Sequence, residues 1–295
     1  MAVAERAIPT PRRMAGTRQH AGLALLGRVL MYAVLILGAF VFVLPLIWMI
    51  STATKPVEEA NLPGFYLLPS HFQMIENFQS AFRRIPLGRF FLNSFFVTIV
   101  ATVGEIVLAS MAGYSFARFN YPGKNLLFGF VLATLMIPFY VVVVPLFIVV
   151  YTLGLLNTYE ALFLPFMVGA FGIFLMRQFM LTIPSELTDA ARIDGAGEFT
   201  IYSRIVMPLC IPAVLTLTIF TWLARWDDFV WPLLVIHSPD MYTVPLGLTY
   251  FQSEYLAYWN EQMAASLIAL IPSFAMVFGF QRYYVRGVVM SGLKG

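Results

Sequence analysis

Charged side chains are scarce in this sequence. Of 295 residues only 11% are Asp, Glu, Lys or Arg, against 60% hydrophobic, and the mean hydropathy is +0.81. A soluble domain carries about 25% charged residues, so too few polar side chains exist here to coat a globule in water. Cysteine is almost missing. Cys210 stands alone, which excludes an intrachain disulfide framework and a structural metal cluster built from thiolates. His20, His71 and His237 lie far apart, and none belongs to a His-Glu-x-x-His pair. No Gly-x-x-x-x-Gly-Lys-Ser/Thr is present; Gly123-Lys124 lacks the loop before it, so the chain has no cradle for nucleotide phosphates. Gly195-Ala196-Gly197 lacks the third glycine and the preceding strand of a dinucleotide site. Gly113-Tyr114-Ser115 is not completed by a second glycine, and no Ser/His or Asp/Asp pair stands at facing depths as an intramembrane hydrolase requires. Period-2 alternation is also absent from the apolar runs, which excludes a strand-built barrel.

What the sequence has in quantity is apolar length. Six stretches reach the roughly 20 residues that cross a bilayer: Val29–Ser51, Leu92–Ala117, Leu126–Val150, Tyr159–Leu181, Leu209–Ile236 and Met263–Tyr284. They predict an all-α membrane protein with six transmembrane helices over residues 29–295. Residues 1–28, with Arg6, Arg12, Arg13, Arg18 and Arg28, read as a disordered basic tail. The first run is too long for the apolar core of a signal peptide and no small-residue cleavage site follows it, so an uncleaved helix is expected. The net charge of +3 and pI near 9.0 raise the question of nucleic acid. The basic residues flank apolar runs and form no stripe, so the partner is the lipid bilayer and no nucleic acid is expected. Six spans put both termini on one side. That side collects 13 Lys and Arg residues and the other only Lys55, Arg83, Arg84 and Arg89, which predicts cytoplasmic termini.

The most informative polar segment lies between spans four and five, at about 182–208. Pro184 ends the preceding run, Ser185 is placed to cap a helix, and Glu186 and Asp189 put negative charge in its first turn. Leu187, Ala190 and Ala191 follow at helical spacing, Gly195 and Gly197 interrupt, and Phe199, Tyr202 and Ile205 repeat every three residues. This describes two short amphipathic helices joined by a glycine turn, too polar to span. Against lipid such a hairpin carries a Lys/Arg-rich face. Here Arg192 and Arg204, with Arg177 just before them, mix with four acidic residues, Glu186, Asp189, Asp194 and Glu198, which favours docking into a cytoplasmic protein.

Two charged features interrupt the spans. Arg225, Asp227 and Asp228 fall among Trp222, Trp226 and Trp231 near the end of span five, where Arg225 sits about 24 Å along a helix begun at Leu209. Each charge costs roughly 2.5–3.5 kcal/mol at a helix centre, so the cluster is either a neutralised outer-leaflet anchor, with Arg225 paired to Asp228, or the lining of a solute path. In a path, Trp226, Asp227, Asp228 and Trp231 would offer carboxylate acceptors and aromatic faces to a hydroxyl-rich solute. Glu105 stands alone in span two and is expected to face the bundle or a partner subunit in a structural hydrogen bond.

Asp189-Ala190-Ala191, then Gly195, then Ile205-x-Met207-Pro208 resembles the Glu-Ala-Ala-x-x-x-Gly-x9-Ile-x-Leu-Pro loop of binding-protein-dependent ABC importer permeases, with Asp189 for Glu and Met207 for Leu. Trp226-Asp227-Asp228-Phe229-Val230-Trp231-Pro232 is similar to a Trp-Asn-Asp/Glu-Phe-Leu-Trp-Pro segment of the carbohydrate-uptake, maltose-type branch. Val244-Pro245-Leu246-Gly247-Leu248, Met263-Ala264-Ala265-Ser266, Gln281-Arg282-Tyr283 and the Gly287 … Lys294-Gly295 ending look like the same branch. The resemblance implies the type I importer permease fold in its smaller, six-span subunit. It implies that Asp189, Ala190, Ala191, Asp194, Gly195, Ile205 and Pro208 belong to an ATPase-coupling loop. It further implies a second permease subunit as heterodimer partner, a pair of ATP-binding subunits that use ATP and Mg, and an extracytoplasmic solute-binding protein. No catalytic residue, metal or cofactor is expected on this chain. A self-contained secondary transporter would show two related halves, and Pro138, Pro145, Pro165 and Pro232 mark no such repeat. The exact solute is left open among sugars, amino sugars and glycerol-3-phosphate.

Overall fold

The computed structural model describes residues 17–64, 66–252 and 257–292, with side chains from residue 25 to residue 280 of these. Most of the basic tail therefore lies outside the described residues, as do the Lys294-Gly295 ending and the side chains of Gln281, Arg282 and Tyr283.

The described chain is helical throughout, and its only strand-like feature is one isolated antiparallel bridge, Gln252 to Ala257. Three of the six expected spans are unbroken helices. α1, Thr17–Ala53, carries Pro45 inside it, α3 is Leu87–Arg118, and the last helix begins at Trp259. The other three are bent. Lys124–Leu135 (α4) and Phe139–Thr152 (α5) meet at 105°, where Pro138 takes an extended ψ of 142° and donates no N–H. Tyr159–Phe163 (α6), with the 3-10 turn Leu164–Phe166, meets Ala170–Leu181 (α7) at 41°. Glu198–Leu209 (α9) meets Ile211–Trp226 (α10) at 77°.

Three expectations need correction here, and one element is additional to them. The helix of span one begins at Thr17 and not at Val29, so the later part of the basic segment is helical. Ala21, Leu23, Ala24, Leu25 and Leu26 are good helix formers and extend it across Gly22. Span five is not one helix from Leu209 to Ile236: α10 stops at Trp226, Asp227 and Asp228 turn the chain, and Val230–Val235 (α11) restarts it. Short polar side chains compete with helical hydrogen bonds, and two in succession make a stop. The first long loop contains an amphipathic helix, Met74–Arg84 (α2), that no span accounts for. Asn77 fixes it by donating to the carbonyls of Ala53 and Lys55 at 2.9 and 2.8 Å, and Arg84 pairs with Glu261 of the last helix, Trp259–Gly292 (α12). Lys55 also donates to the Tyr66 carbonyl. Ser185, finally, is the first helical residue and caps nothing; Pro184 occupies the cap.

The bundle centres on α3. Small residues let α7 approach it closely: a Cβ on Gly113 would fall 2.8 Å from Met176 Cβ and 2.9 Å from the Arg177 backbone N. At Gly172 it would fall 2.9 Å from Ala109 Cβ. α10 crosses the same pair, and Leu217, Met176, Ala109 and Ala213 close the core between them. α1 stands outside this packing. None of its most apolar window is buried within the chain.

Candidate functional site

The 182–208 segment forms a compact hairpin at one face of the bundle. Ser185–Ile193 (α8) ends in a left-handed glycine: Gly195 has φ +82°, Gly195 N donates to Arg192 O at 3.0 Å and Ala196 N to Ala191 O at 2.9 Å. These are the two bonds of a Schellman stop, in which only a residue without Cβ takes the left-handed position without strain. Arg192 then straps the two arms together. Its Nη1 lies 2.7 Å from Asp189 Oδ1 and its Nε 2.7 Å from Glu198 Oε1. Its guanidinium is held charged above its usual range, chiefly by the Glu198 hydrogen bond. After Glu198 the chain makes a π-turn over Ile201–Val206, a geometry concentrated at functional positions, and Pro208 precedes the 77° bend into α10.

The hairpin's apolar side chains divide differently from the sequence expectation. Thr188 and Ala191 are buried against the bundle, as are Ile201 and Val206. Leu187 is 47% exposed, Ile193 87% and Phe199 74%, and Ala190 faces out with them. Leu187 and Ala191, one turn apart, therefore differ in burial: α8 turns Thr188 and Ala191 inward and leaves Leu187, Ala190 and Ile193 outward. Asp189 and Asp194 are exposed, Ile205 is half-buried and Pro208 is exposed. The structure thus brings Asp189, Arg192, Gly195 and Glu198 into one rigid unit.

Two tyrosines anchor this unit, Tyr114, which sequence reasoning missed, and Tyr202, which it read only as part of the apolar repeat. Tyr114 Oη donates to Glu198 Oε2 at 2.8 Å, and Tyr202 Oη lies 2.7 Å from Ser110 Oγ. Arg118 Nη2 donates to the carbonyls of Met180 and Ile183 at 2.8 and 2.7 Å, satisfying the end of α7. Ser110 and Tyr114 are four residues apart and so share a face of α3; that spacing was the available signal.

At the opposite end of the bundle the charged cluster forms around the break in span five. Arg225 Nη1 meets Asp228 Oδ2 at 3.0 Å, with the side chains only 17% and 16% exposed, and the guanidinium lies over the Phe166 ring at 3.7 Å. Asp228 Oδ1 also accepts the Trp231 backbone N–H at 3.3 Å, starting α11. Trp226 and Trp231 are buried, and their indole N–H groups donate to the carbonyls of Ala269 and Ala161 at 2.9 and 2.8 Å. Neither presents an aromatic face, contrary to expectation. Asp227 is the member that is exposed in this chain. Glu105 finds the bundle partner its isolation called for: Thr221 Oγ1 donates to Glu105 Oε2 at 2.8 Å. Among the described residues no cluster of His, Cys, Asp and Glu is arranged to hold a metal ion.

Residues 105–290 match the family described as binding-protein-dependent transport system inner membrane component. The chain is 37% identical over 260 residues to the arabinooligosaccharides transport system permease protein AraQ of Halalkalibacterium halodurans, covering 87% of this chain and 93% of that one. It is 35% identical over 268 residues to the sn-glycerol-3-phosphate transport system permease protein UgpE of Salmonella typhi, covering 88% and 95%. Its fold matches a chain of a bacterial ABC transporter involved in the import of the acidic polysaccharide alginate, with a TM-score of 0.78 at 20% identity over 93% of this chain and 100% of that chain. The motif at 189–208, the bent six-span bundle and these likenesses agree: the chain belongs to the binding-protein-dependent transport system inner membrane components, as a permease subunit of an ABC importer that leaves ATP hydrolysis to separate subunits.

Proposed function

We propose that this chain forms half of the translocation path for a neutral, hydroxyl-rich carbohydrate, and that the 184–208 hairpin seats in a cleft of a cytoplasmic ATPase subunit. The carrying observation is the outward row of Leu187, Ile193 and Phe199 on a hairpin stiffened by Arg192 and the Gly195 stop. Large apolar side chains on a rigid, mixed-charge element outside the spans fit a protein pocket better than lipid headgroups. The second permease subunit would cover the apolar surfaces of α1 and α3, two ATP-binding subunits would supply ATP and Mg chemistry, and an extracytoplasmic solute-binding protein would deliver the solute. The Lys and Arg distribution supports a cytoplasmic side for the hairpin and for both termini.

Relatives transporting arabinooligosaccharides and sn-glycerol-3-phosphate resemble the chain almost equally. The charge cluster favours the former class. Arg225 is already neutralised by Asp228, which leaves exposed Asp227, without an ion pair among the described residues, as the carboxylate we place on the path. A phosphate dianion would be repelled there, whereas sugar hydroxyls would donate to it.

The test uses the assembled complex in proteoliposomes. Leu187→Glu with Ile193→Glu should abolish copurification of the ATPases while the chain stays inserted; retained ATPase at wild-type levels would remove the docking reading. Asp227→Asn should lower uptake of a radiolabelled arabinooligosaccharide per assembled complex at unchanged thermal stability. If glycerol-3-phosphate is taken up instead, the charge argument fails.

A further inference from the structure

Both ends of α3 are tied to connecting segments by side-chain hydrogen bonds. At the hairpin end the ties are Tyr114 to Glu198 and Tyr202 to Ser110, with the two tyrosine rings 5.4 Å apart between centroids. At the other end Asn93 Nδ2 donates to the carbonyls of Asp240 and Tyr242, each at 2.9 Å, and Ser94 Oγ accepts the Val244 N–H at 2.8 Å. Tyr159 Oη donates to Asn93 Oδ1 at 2.8 Å and holds the amide in that orientation. Gly247 rests on the Phe90 ring, where an added Cβ would come within 2.1 Å of a ring carbon. Asn93 and Ser94 are both buried.

Between Asn93 and Tyr114 the helix has no proline and no break. Those 21 steps span about 32 Å at 1.5 Å per residue, close to the ~30 Å thickness of a hydrocarbon core. The 240–244 segment cannot slide along α3 without leaving buried backbone groups unpaired. The hairpin likewise cannot swing away from α3 while Glu198 and Tyr202 hold it. Displacement at one face therefore arrives at the other through a single rod.

We propose that α3 is the transmission element of this permease, with Tyr114 and Tyr202 as positioning residues that grip the hairpin and Asn93 and Ser94 as those that carry the 240–244 segment. The proposal rests on the reading of the hairpin as the ATPase dock. The physical warrant for coupling across this distance is an element with two arrangements that both sites bias, and the experiment asks whether the far segment changes arrangement with the ATPase.

His237, exposed beside the pinned segment, is replaced by cysteine and labelled with an environment-sensitive fluorophore in the full complex; native Cys210 is buried. Mg-ATP with vanadate is the probe. The parent complex should change its emission on trapping. Tyr114→Phe with Tyr202→Phe should at least halve that amplitude while the ATPases still copurify and hydrolyse ATP, and Asn93→Ala should do the same from the other end. Glu198→Gln keeps an acceptor for Tyr114 and should retain the response, which a merely structural role for the ion pair would not allow. Full amplitude in both the tyrosine and the asparagine variants overturns the proposal, as does a parent complex that gives no response. Loss of ATPase copurification reports on the docking reading, and loss of amplitude with ATPase bound reports on transmission.

Discussion

Glu105 and Thr221 meet at 2.8 Å across α3 and α10, deep in the apolar bundle. Gly169 and Gly172 make room for the carboxylate: an added Cβ would fall 2.2 and 3.0 Å from Glu105 Oε1. The acid is thus a built part of the helix junction, bonded across two spans and enclosed by backbone on a third.

The close approach of α3 and α7 gives the sharpest stability prediction. Gly113→Ala places a methyl 2.9 Å from a backbone nitrogen, which cannot rotate away as a side chain can. Overpacking of this kind costs roughly 1–3 kcal/mol. The variant should lower the thermal inactivation midpoint of the detergent-purified complex by several degrees. Gly129→Ala, where nothing lies within 4 Å, should leave the midpoint unchanged.

Arg225 and Asp228 form a largely buried pair, and removing one partner strands the other. Arg225→Met should destabilise the chain by about 3–5 kcal/mol, whereas Arg225→Met with Asp228→Leu should recover most of that loss. Quantified membrane levels of the single and double variants check this. A double variant no better than the single would mean that the charges do more than neutralise each other.

At Gly195 two substitutions should separate. Ala meets nothing within 4 Å but must take φ +82°, at a cost of about 1 kcal/mol, so insertion and most uptake should survive. Trp adds bulk where the partner ATPase would sit. Its variant should hydrolyse ATP with little uptake, and the ratio of ATP consumed to solute moved is the measurement.

Outside the spans, the Glu59 carboxylate accepts the Ser70 N–H at 3.0 and 3.3 Å, and this bond lowers its pKa below the usual 4.5. A depressed acid stabilises the folded loop above its unfolded pKa and loses that contribution as pH falls through the folded one. Hydrogen exchange at Ser70, corrected for intrinsic rate, should therefore speed up below about pH 4.5. Glu59→Gln should show no such step.

Six apolar runs, the glycine-broken hairpin and the pairing of Arg225 with Asp228 were legible in the sequence because each depends on local spacing or composition. The bends were harder to read. Pro138 and Pro208 are visible as letters, but whether a proline accompanies a bend of 77° or 105° depends on what packs against it. Trp231 illustrates the deeper difficulty. Three- and four-residue spacing put it beside Asp228 on a helix, yet the helix ends first and the indole turns inward to Ala161, seventy positions earlier in the chain. Tyr114 and Glu198 are 84 residues apart, and no local pattern announces a bond between them.

Ile193 and Phe199 show 87% and 74% of their surface in the isolated chain. Greasy side chains held rigidly in water are what chaperones and proteases recognise. If the ATPase covers them as proposed, a permease made faster than its ATPase would expose its own mark for disposal until that partner hides it. On that reading the supply of the two proteins would have to be matched, and imbalance in expression should appear as turnover of this chain before it appears as a transport defect.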